Sequence, residues 1–198
     1  MGEIDELWHS RHDIFNLLVL PLVIGANCLY LFESYDWYWI QFWSFFLYIL
    51  VDTLWLIIKP RSVVSPGAII AHHLVCIIGW VLPALHDQIY ADWVSYGLLV
   101  EVNTWFLIAR RTWKDVAFFG FCFYLCWFTL RLIMYPVILY RFSKLIYEKG
   151  FSEVHYTAFI QWVFMVALTS LNYKWTLDMV IKMFGDRSKG ASEDKKGL

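Results

Sequence analysis

The segment "WYWIQFWSFFLYILVDTLWLII", residues 37–58, decides the fold: it has 22 residues and only one ionisable side chain, that of Asp52. At about 1.5 Å of rise per residue, a helix of this length crosses the roughly 30 Å hydrocarbon core of a bilayer. The whole chain is 60% hydrophobic and 20% aromatic, which is more apolar surface than a soluble domain of 198 residues can hide from water. The sequence therefore predicts a membrane protein.

Five further segments on either side of residues 37–58 have the length and hydrophobicity of membrane helices. Together with residues 37–58 they predict an all-α fold, a polytopic transmembrane helix bundle of about six spans. The five further segments are 14–32, 66–85, 93–109, 115–140 and 157–183.

The distribution of lysine and arginine orients this bundle. If both termini lie on one side, the loops and ends on that side carry 11 Lys and Arg, and the opposite side carries 3. Because positive residues favour the cytosolic side, both termini are predicted to be cytosolic. The chain then divides into a cytosolic N-terminal segment (1–13), a transmembrane domain (14–183) and a polar, disordered cytosolic tail (184–198).

Four ionisable residues within the spans are predicted to share one layer. Counted from the cytosolic ends of their helices, Asp52, His72 and Glu101 all lie about 10–14 Å deep, and His73 points about 100° away from His72. Ionisable side chains are costly in hydrocarbon, so they pair with one another or line a polar site. A carboxylate beside an imidazole can prepare it as a general base or a nucleophile, but such a network can also be purely structural.

Other polar residues are expected outside this layer. Asn172 lies slightly deeper, and Arg131 lies about 24 Å along the fifth span, in the lumenal half. Lys174 and Asp178 have the i,i+4 spacing of a helical ion pair. No metal site is expected, because adjacent histidines cannot easily serve one ion and the other four histidines fall outside the layer. These four are His9, His12, His86 and His155.

Five stretches of the chain resemble the TLC domain family, a ceramide-synthase-like superfamily, and in particular its small six-span branch. The family includes ceramide synthases, translocation-associated membrane proteins, lipid-homeostasis regulators and an endoplasmic reticulum cargo receptor. The stretches are "YILVDTLWLIIKP" (48–60), "IIAHHLVCIIGW" (69–80), "LLVEVNTWFLIAR" (98–110), "FTLRLIMYP" (128–136) and "LTSLNYKW" (168–175).

The resemblance covers nearly the whole predicted transmembrane domain, and it implies roles for particular residues. His72, His73 and Glu101 would be the catalytic residues if the chain is an enzyme. The resemblance also implies a lipid-binding or polar network of Asp52, Asn103, Arg131, Asn172 and Trp175.

Three functions follow from the resemblance as expectations. The first is a role in lipid homeostasis, in which the chain binds a membrane lipid or acyl chain or regulates phospholipid or sphingolipid composition. The second is an acyltransferase of the ceramide-synthase type that uses the paired histidines and acyl-CoA, and the third is an endoplasmic reticulum cargo receptor or a lipid transporter. Ceramide synthases carry a His-Asp-x-x-Asp segment followed by Glu where this chain has Glu101 and Asn103, so enzymatic activity is left open.

The ends and the charge of the chain bear on its location and partners. Lys195 and Lys196 stand fourth and third from the C-terminus, which resembles the di-lysine retrieval signal that coat proteins read on endoplasmic reticulum membrane proteins. A net charge of -1 without a basic stripe argues against nucleic acid as a partner. No cofactor is expected.

Replacement of Lys195 and Lys196 by Ser should move most of the protein out of the endoplasmic reticulum, because the retrieval signal is lost. Fluorescence microscopy of the tagged chain measures this, with Lys189→Ser as a control for loss of tail charge. An unchanged location of the double variant would refute the retrieval signal.

Overall fold

A computed structural model shows an all-helical chain and describes residues 3–63, 65–86, 91–150 and 156–194, in which every regular element is a helix. Short 3-10 turns, Tyr35–Trp37 and Pro60–Ser62, connect the first three helices. A π-helical segment, Trp127–Met134, joins α6 to α7 without a break. The helices are α1 (Glu3–Phe32), α2 (Tyr38–Ile58), α3 (Pro66–His86), α4 (Ala91–Leu98), α5 (Val100–Thr112), α6 (Ala117–Cys126), α7 (Tyr135–Lys149) and α8 (Tyr156–Asp194).

The prediction of an all-α fold is confirmed, and three helices are long and apolar enough to cross a membrane. They are Ser10–Phe32, Tyr35–Ile58 and the continuous rod Ala117–Lys149. The apolar part of α3, Pro66–Gly79, is shorter. The total of six spans and the cytosolic position of the termini stay predictions.

The helices close into a ring. Counting α4 with α5, and α6 with the π-helical segment and α7, the described residues form six rods. Around the ring, α1 packs on α2, α2 on α3, α3 on α8, α8 on α7, and α6 on α5, which returns to α1. The ring places the inner faces of all six rods around one interior, so side chains distant in sequence can meet there.

Two of the rods have irregular backbones, and both irregularities lie beside predicted site residues. The fourth rod is interrupted at Leu99, where the backbone bonds Leu99 N–H to Tyr96 O and Val102 N–H to Leu99 O span three residues. The fifth rod is π-helical directly before Pro136, which lacks an N–H and crowds the carbonyl four residues earlier. A proline within a helical pattern favours a kink, and here the irregularity takes the form of a widened turn.

Two predicted helix ends are wrong. The first helix begins at Glu3 and not near residue 14, so much of the segment 1–13 is helical. The last helix continues to Asp194, beyond the predicted end of the last span at residue 183, so much of the segment predicted to be a disordered tail is helical. Residues 186–194 contain no proline and several good helix formers. Lys195 and Lys196 lie outside the described residues.

The core and the outer surface are both apolar. Leu20, Phe45 and Ile49 are buried in the main core cluster between α1 and α2, whereas Leu18 and Leu22 are 68% and 71% exposed on the outside of the bundle. So much exposed apolar surface is the pattern of a protein surrounded by lipid. The apolar part of the interior therefore differs from the outer surface in packing.

Substitution of Leu20 by Ala should therefore lower the free energy of unfolding in a bilayer or micelle by about 2 kcal/mol, through lost packing contacts. Leu22→Ala removes the same atoms from an outward-facing position and should change the free energy of unfolding by less than about 0.5 kcal/mol. Denaturant titration in micelles measures both. Equal losses would mean that Leu20 is not in a packed interface.

Candidate functional site

The carboxylate of Asp52 lies between two imidazoles from other helices. Oδ1 is 2.7 Å from Nε2 of His12 on α1, and Oδ2 is 3.5 Å from Nε2 of His73 on α3. All three residues are buried, with exposures between 4% and 7%. The carboxylate therefore connects the first three helices of the ring.

A second set of polar side chains holds these three in place. The Tyr48 hydroxyl donates to Asn16 Oδ1 at 2.8 Å, which directs the Asn16 amide nitrogen toward the Asp52 carboxylate, 3.4 Å away. The Thr53 hydroxyl lies 3.0 Å from His73 Nδ1. This group of six, the Asp52 cluster, consists of His12, Asn16, Tyr48, Asp52, Thr53 and His73.

The expectation that His12 lies outside the polar layer is wrong. It failed because the first span was taken to begin at residue 14, whereas the helix already covers His12. The signal was present in the sequence, as a stripe of residues spaced three or four apart along one helix face. Its members, all buried, are His12, Asn16, Leu20, Val23, Asn27 and Tyr30.

Arg131 is the centre of a second buried group. Its Nε donates to Asn103 Oδ1 and its Nη1 to Asn172 Oδ1, each at 2.8 Å. Its guanidinium also lies over two indole rings, 4.9 Å from the centroid of Trp127 and 5.7 Å from that of Trp175. A buried cation is stabilised here by amide oxygens and aromatic faces from three rods.

The predicted separation of Arg131 from the polar layer is also wrong. Counting residues placed its backbone in the other half of the membrane, but a long helical side chain points back toward the start of its helix. The π-helical segment adds to this, because a wider helix rises less per residue. Arg131 consequently reaches Asn103, two residues from Glu101.

Glu101, His72 and Cys76 lie between the two groups. Glu101 lies beside Thr104 and within electrostatic range of both Arg131 and Asp52. The two ring nitrogens of His72 lie 3.7 and 3.8 Å from Cys76 Sγ, and the His72 ring meets Trp175 edge to face at 5.5 Å. The structure thus brings the predicted residues into one continuous polar region.

An apolar cavity of about 40 Å³ borders this region, and with the open space at its mouth the void measures about 430 Å³. The smaller volume is roughly three times what one water needs. Tyr135, which lines the cavity, donates from its hydroxyl to Gly97 O at 3.1 Å, just before the break at Leu99. The lining includes Phe45, Cys76, Gly79, Gly97, Tyr135 and Phe164.

The two histidines predicted to be catalytic have different surroundings. Both ring nitrogens of His73 face hydrogen-bonding groups, Thr53 on one side and Asp52 on the other. Those of His72 are close only to the weakly bonding Cys76 thiol among the described residues. His72 is therefore the imidazole with a nitrogen available to a ligand.

Two findings bear on other predicted residues. Lys174 and Asp178 form the predicted i,i+4 ion pair at 2.7 Å on the exposed face of α8. Within the described part of the chain, no group of three His, Cys, Asp or Glu has the arrangement of a metal site. The side chains of His9, His86 and His155 lie outside the described set.

Comparison of the chain with protein-family models, with curated protein sequences and with solved structures found no match in any of the three. What the site does must therefore follow from its own geometry.

Substitution of Arg131 by Leu should lower the free energy of unfolding by about 3 kcal/mol, because it leaves Asn103 and Asn172 without their donor and Glu101 without a nearby cation. Arg141→Leu is the matched control, since Arg141 is exposed on the same rod. Reversible unfolding in micelles measures both. A loss below about 1 kcal/mol for Arg131→Leu would contradict the assigned contacts.

Proposed function

We propose that this chain is a six-span membrane protein with both termini in the cytosol that binds a membrane lipid or acyl chain and acts in the homeostasis of phospholipid or sphingolipid composition. One observation carries the proposal: the apolar cavity meets the polar region at Cys76. Cys76 lines the cavity and lies within 3.8 Å of His72. A site that is polar at one end and apolar at the other suits a ligand with the same division.

The polar end offers groups that could hold a lipid head. Glu101 and His72 are only partly buried, unlike Asp52 and His73, whose polar atoms are engaged in the Asp52 cluster. The apolar end offers Gly79 and Gly97, where the absence of a side chain leaves room beside Phe164 and Tyr135. The cavity fits a few methylenes, so the rest of an acyl chain would extend through its mouth.

A second candidate function is acyl transfer, and the position of His72 favours it. An imidazole with an unengaged nitrogen next to an apolar cavity could act as a base or accept an acyl group, with Glu101 nearby. His73 would not take this role, because both of its nitrogens face partners. Acyl-CoA would be the donor.

The proposed location is the endoplasmic reticulum membrane. The charge asymmetry of the loops and the two lysines near the C-terminus support this placement. The ion pair between Asp13 on α1 and Arg111 at the end of α5, at 2.7 Å, would then lie at the cytosolic surface.

Filling the cavity tests lipid binding. The full chain is purified in detergent, and co-purified lipid is measured by mass spectrometry for the wild type, Gly79→Leu and Gly120→Leu. A leucine at Gly79 places atoms in the cavity, whereas a Cβ at Gly120 meets nothing within 4 Å. Gly79→Leu should weaken binding by roughly tenfold, about 1.4 kcal/mol, and Gly120→Leu should bind as the wild type.

The same preparations test catalysis. Labelled acyl-CoA is added with amine and lysolipid acceptors to those preparations and to the variants His72→Ala, His73→Ala and Glu101→Gln, and product formation is measured. Product that is lost in His72→Ala would favour acyl transfer over binding alone. Equal lipid content in the wild type and Gly79→Leu, without product, would refute both functions.

A further inference from the structure

The Asp52 cluster contains a second site that needs no bound lipid. His73 has two ring nitrogens, and each faces one neighbour: Nδ1 is 3.0 Å from Thr53 Oγ1, and Nε2 is 3.5 Å from Asp52 Oδ2. A neutral imidazole carries a proton on only one of these nitrogens. The hydrogen bonds of Thr53 therefore determine which ring nitrogen of His73 carries a proton.

Thr53 fixes the proton on Nδ1. Its hydroxyl lies 2.6 Å from the Ile49 carbonyl oxygen one turn earlier in α2, and a carbonyl can only accept, so the hydroxyl proton is used there. The hydroxyl oxygen is then left as an acceptor toward His73. Nδ1 must carry a proton to donate to it.

A neutral His73 would then present the lone pair of Nε2 to the carboxylate oxygen of Asp52. In a buried site this is unfavourable, because both atoms are acceptors and a separation of 3.5 Å leaves no room for a water between them. A second proton on the ring, on Nε2, turns the repulsion into a charge-assisted contact. We propose that Thr53 and Asp52 together make His73 a buried proton-binding site, which holds the imidazolium form against an ionised Asp52.

The charges around the pair act in both directions. Burial opposes a charged imidazole, and so does His12, whereas the Asp52 carboxylate favours it. The proposal therefore rests on the hydrogen-bond geometry at Nδ1 and Nε2, and the carboxylate is held in place by His12 and by the Asn16 amide. On the other packed elements, Tyr48 is a neutral phenol, His72 stands beside His73 on α3, and Glu101 on α5 adds a second negative charge within range of Asp52. The positive charge of Arg131 lies within electrostatic range of His72 and Glu101.

Nitrogen-15 NMR of the full, histidine-labelled chain in micelles tests the proposal, with His73→Gln used to assign the signal. The measurement is made at about pH 8, where an unperturbed histidine with a pKa of about 6.5 is almost entirely neutral. His73 should show protons on both ring nitrogens. In Thr53→Val, where Nδ1 has no acceptor, His73 should become neutral with its proton on Nε2.

Thr169→Val is the matched control. Thr169 is buried and bonds the carbonyl one turn earlier, Met165 O, at 2.7 Å, as Thr53 does, but it is on α8. This variant should leave the His73 signals unchanged. A neutral His73 in the wild type, or an imidazolium that persists unchanged in Thr53→Val, would overturn the proposal.

Discussion

A polar side chain buried between apolar helices has no water to bond with, so it must find its partner on another helix, and this requirement determines how the bundle is assembled. Each unmet hydrogen bond costs about 1–3 kcal/mol, and an unpaired charge costs more. Asp52 joins α1, α2 and α3, and Arg131 joins the fourth, fifth and sixth rods. Since lipid provides no hydrophobic drive between helices, these two groups and close packing fix the register of the ring.

The same requirement for hydrogen-bond partners explains the two backbone irregularities. The π-helical segment turns Arg131 toward Asn103 and Asn172, and the interruption at Leu99 frees the Gly97 carbonyl for Tyr135. Irregular backbone inside a membrane protein is tolerated where its polar groups bond to protein or line a cavity. Here the Gly97 carbonyl accepts a hydrogen bond from Tyr135, and both residues line the cavity. The polar region and the apolar cavity adjoin because the two irregular rods are neighbours in the ring.

Residue patterns predicted the helices and most of the polar region, but not its connections. Hydropathy identified the six helical rods, and equal depth brought Asp52, His72 and Glu101 to one region. Depth alone could not place Arg131, because it takes no account of side-chain length, side-chain direction or a widened helix. The role of His12 was missed because a span boundary was set by polarity, although a polar residue on the inner face continues a helix as well as an apolar one.

Which imidazole is available to a ligand could not be read from the sequence at all. His72 and His73 are neighbours of the same type, and only the positions of Thr53 and Cys76 distinguish them. The i,i+4 spacing of His72 and Cys76 places these two residues side by side on α3. The distinction depends on the contact between Thr53 on α2 and His73 on α3, which no spacing rule encodes.

Helix α1 also bears on the order in which the bundle can be completed. Three of its polar residues bond to residues made much later: Asn27 to Ser95 O, Tyr30 to Asp92 and Asp13 to Arg111. During synthesis, α1 therefore enters the membrane with polar groups whose partners are 62 to 98 residues away in the chain. The first helix to be made is not fully satisfied until α5 has been made, so folding of the half-made chain depends on keeping α1 in place in the lipid until then.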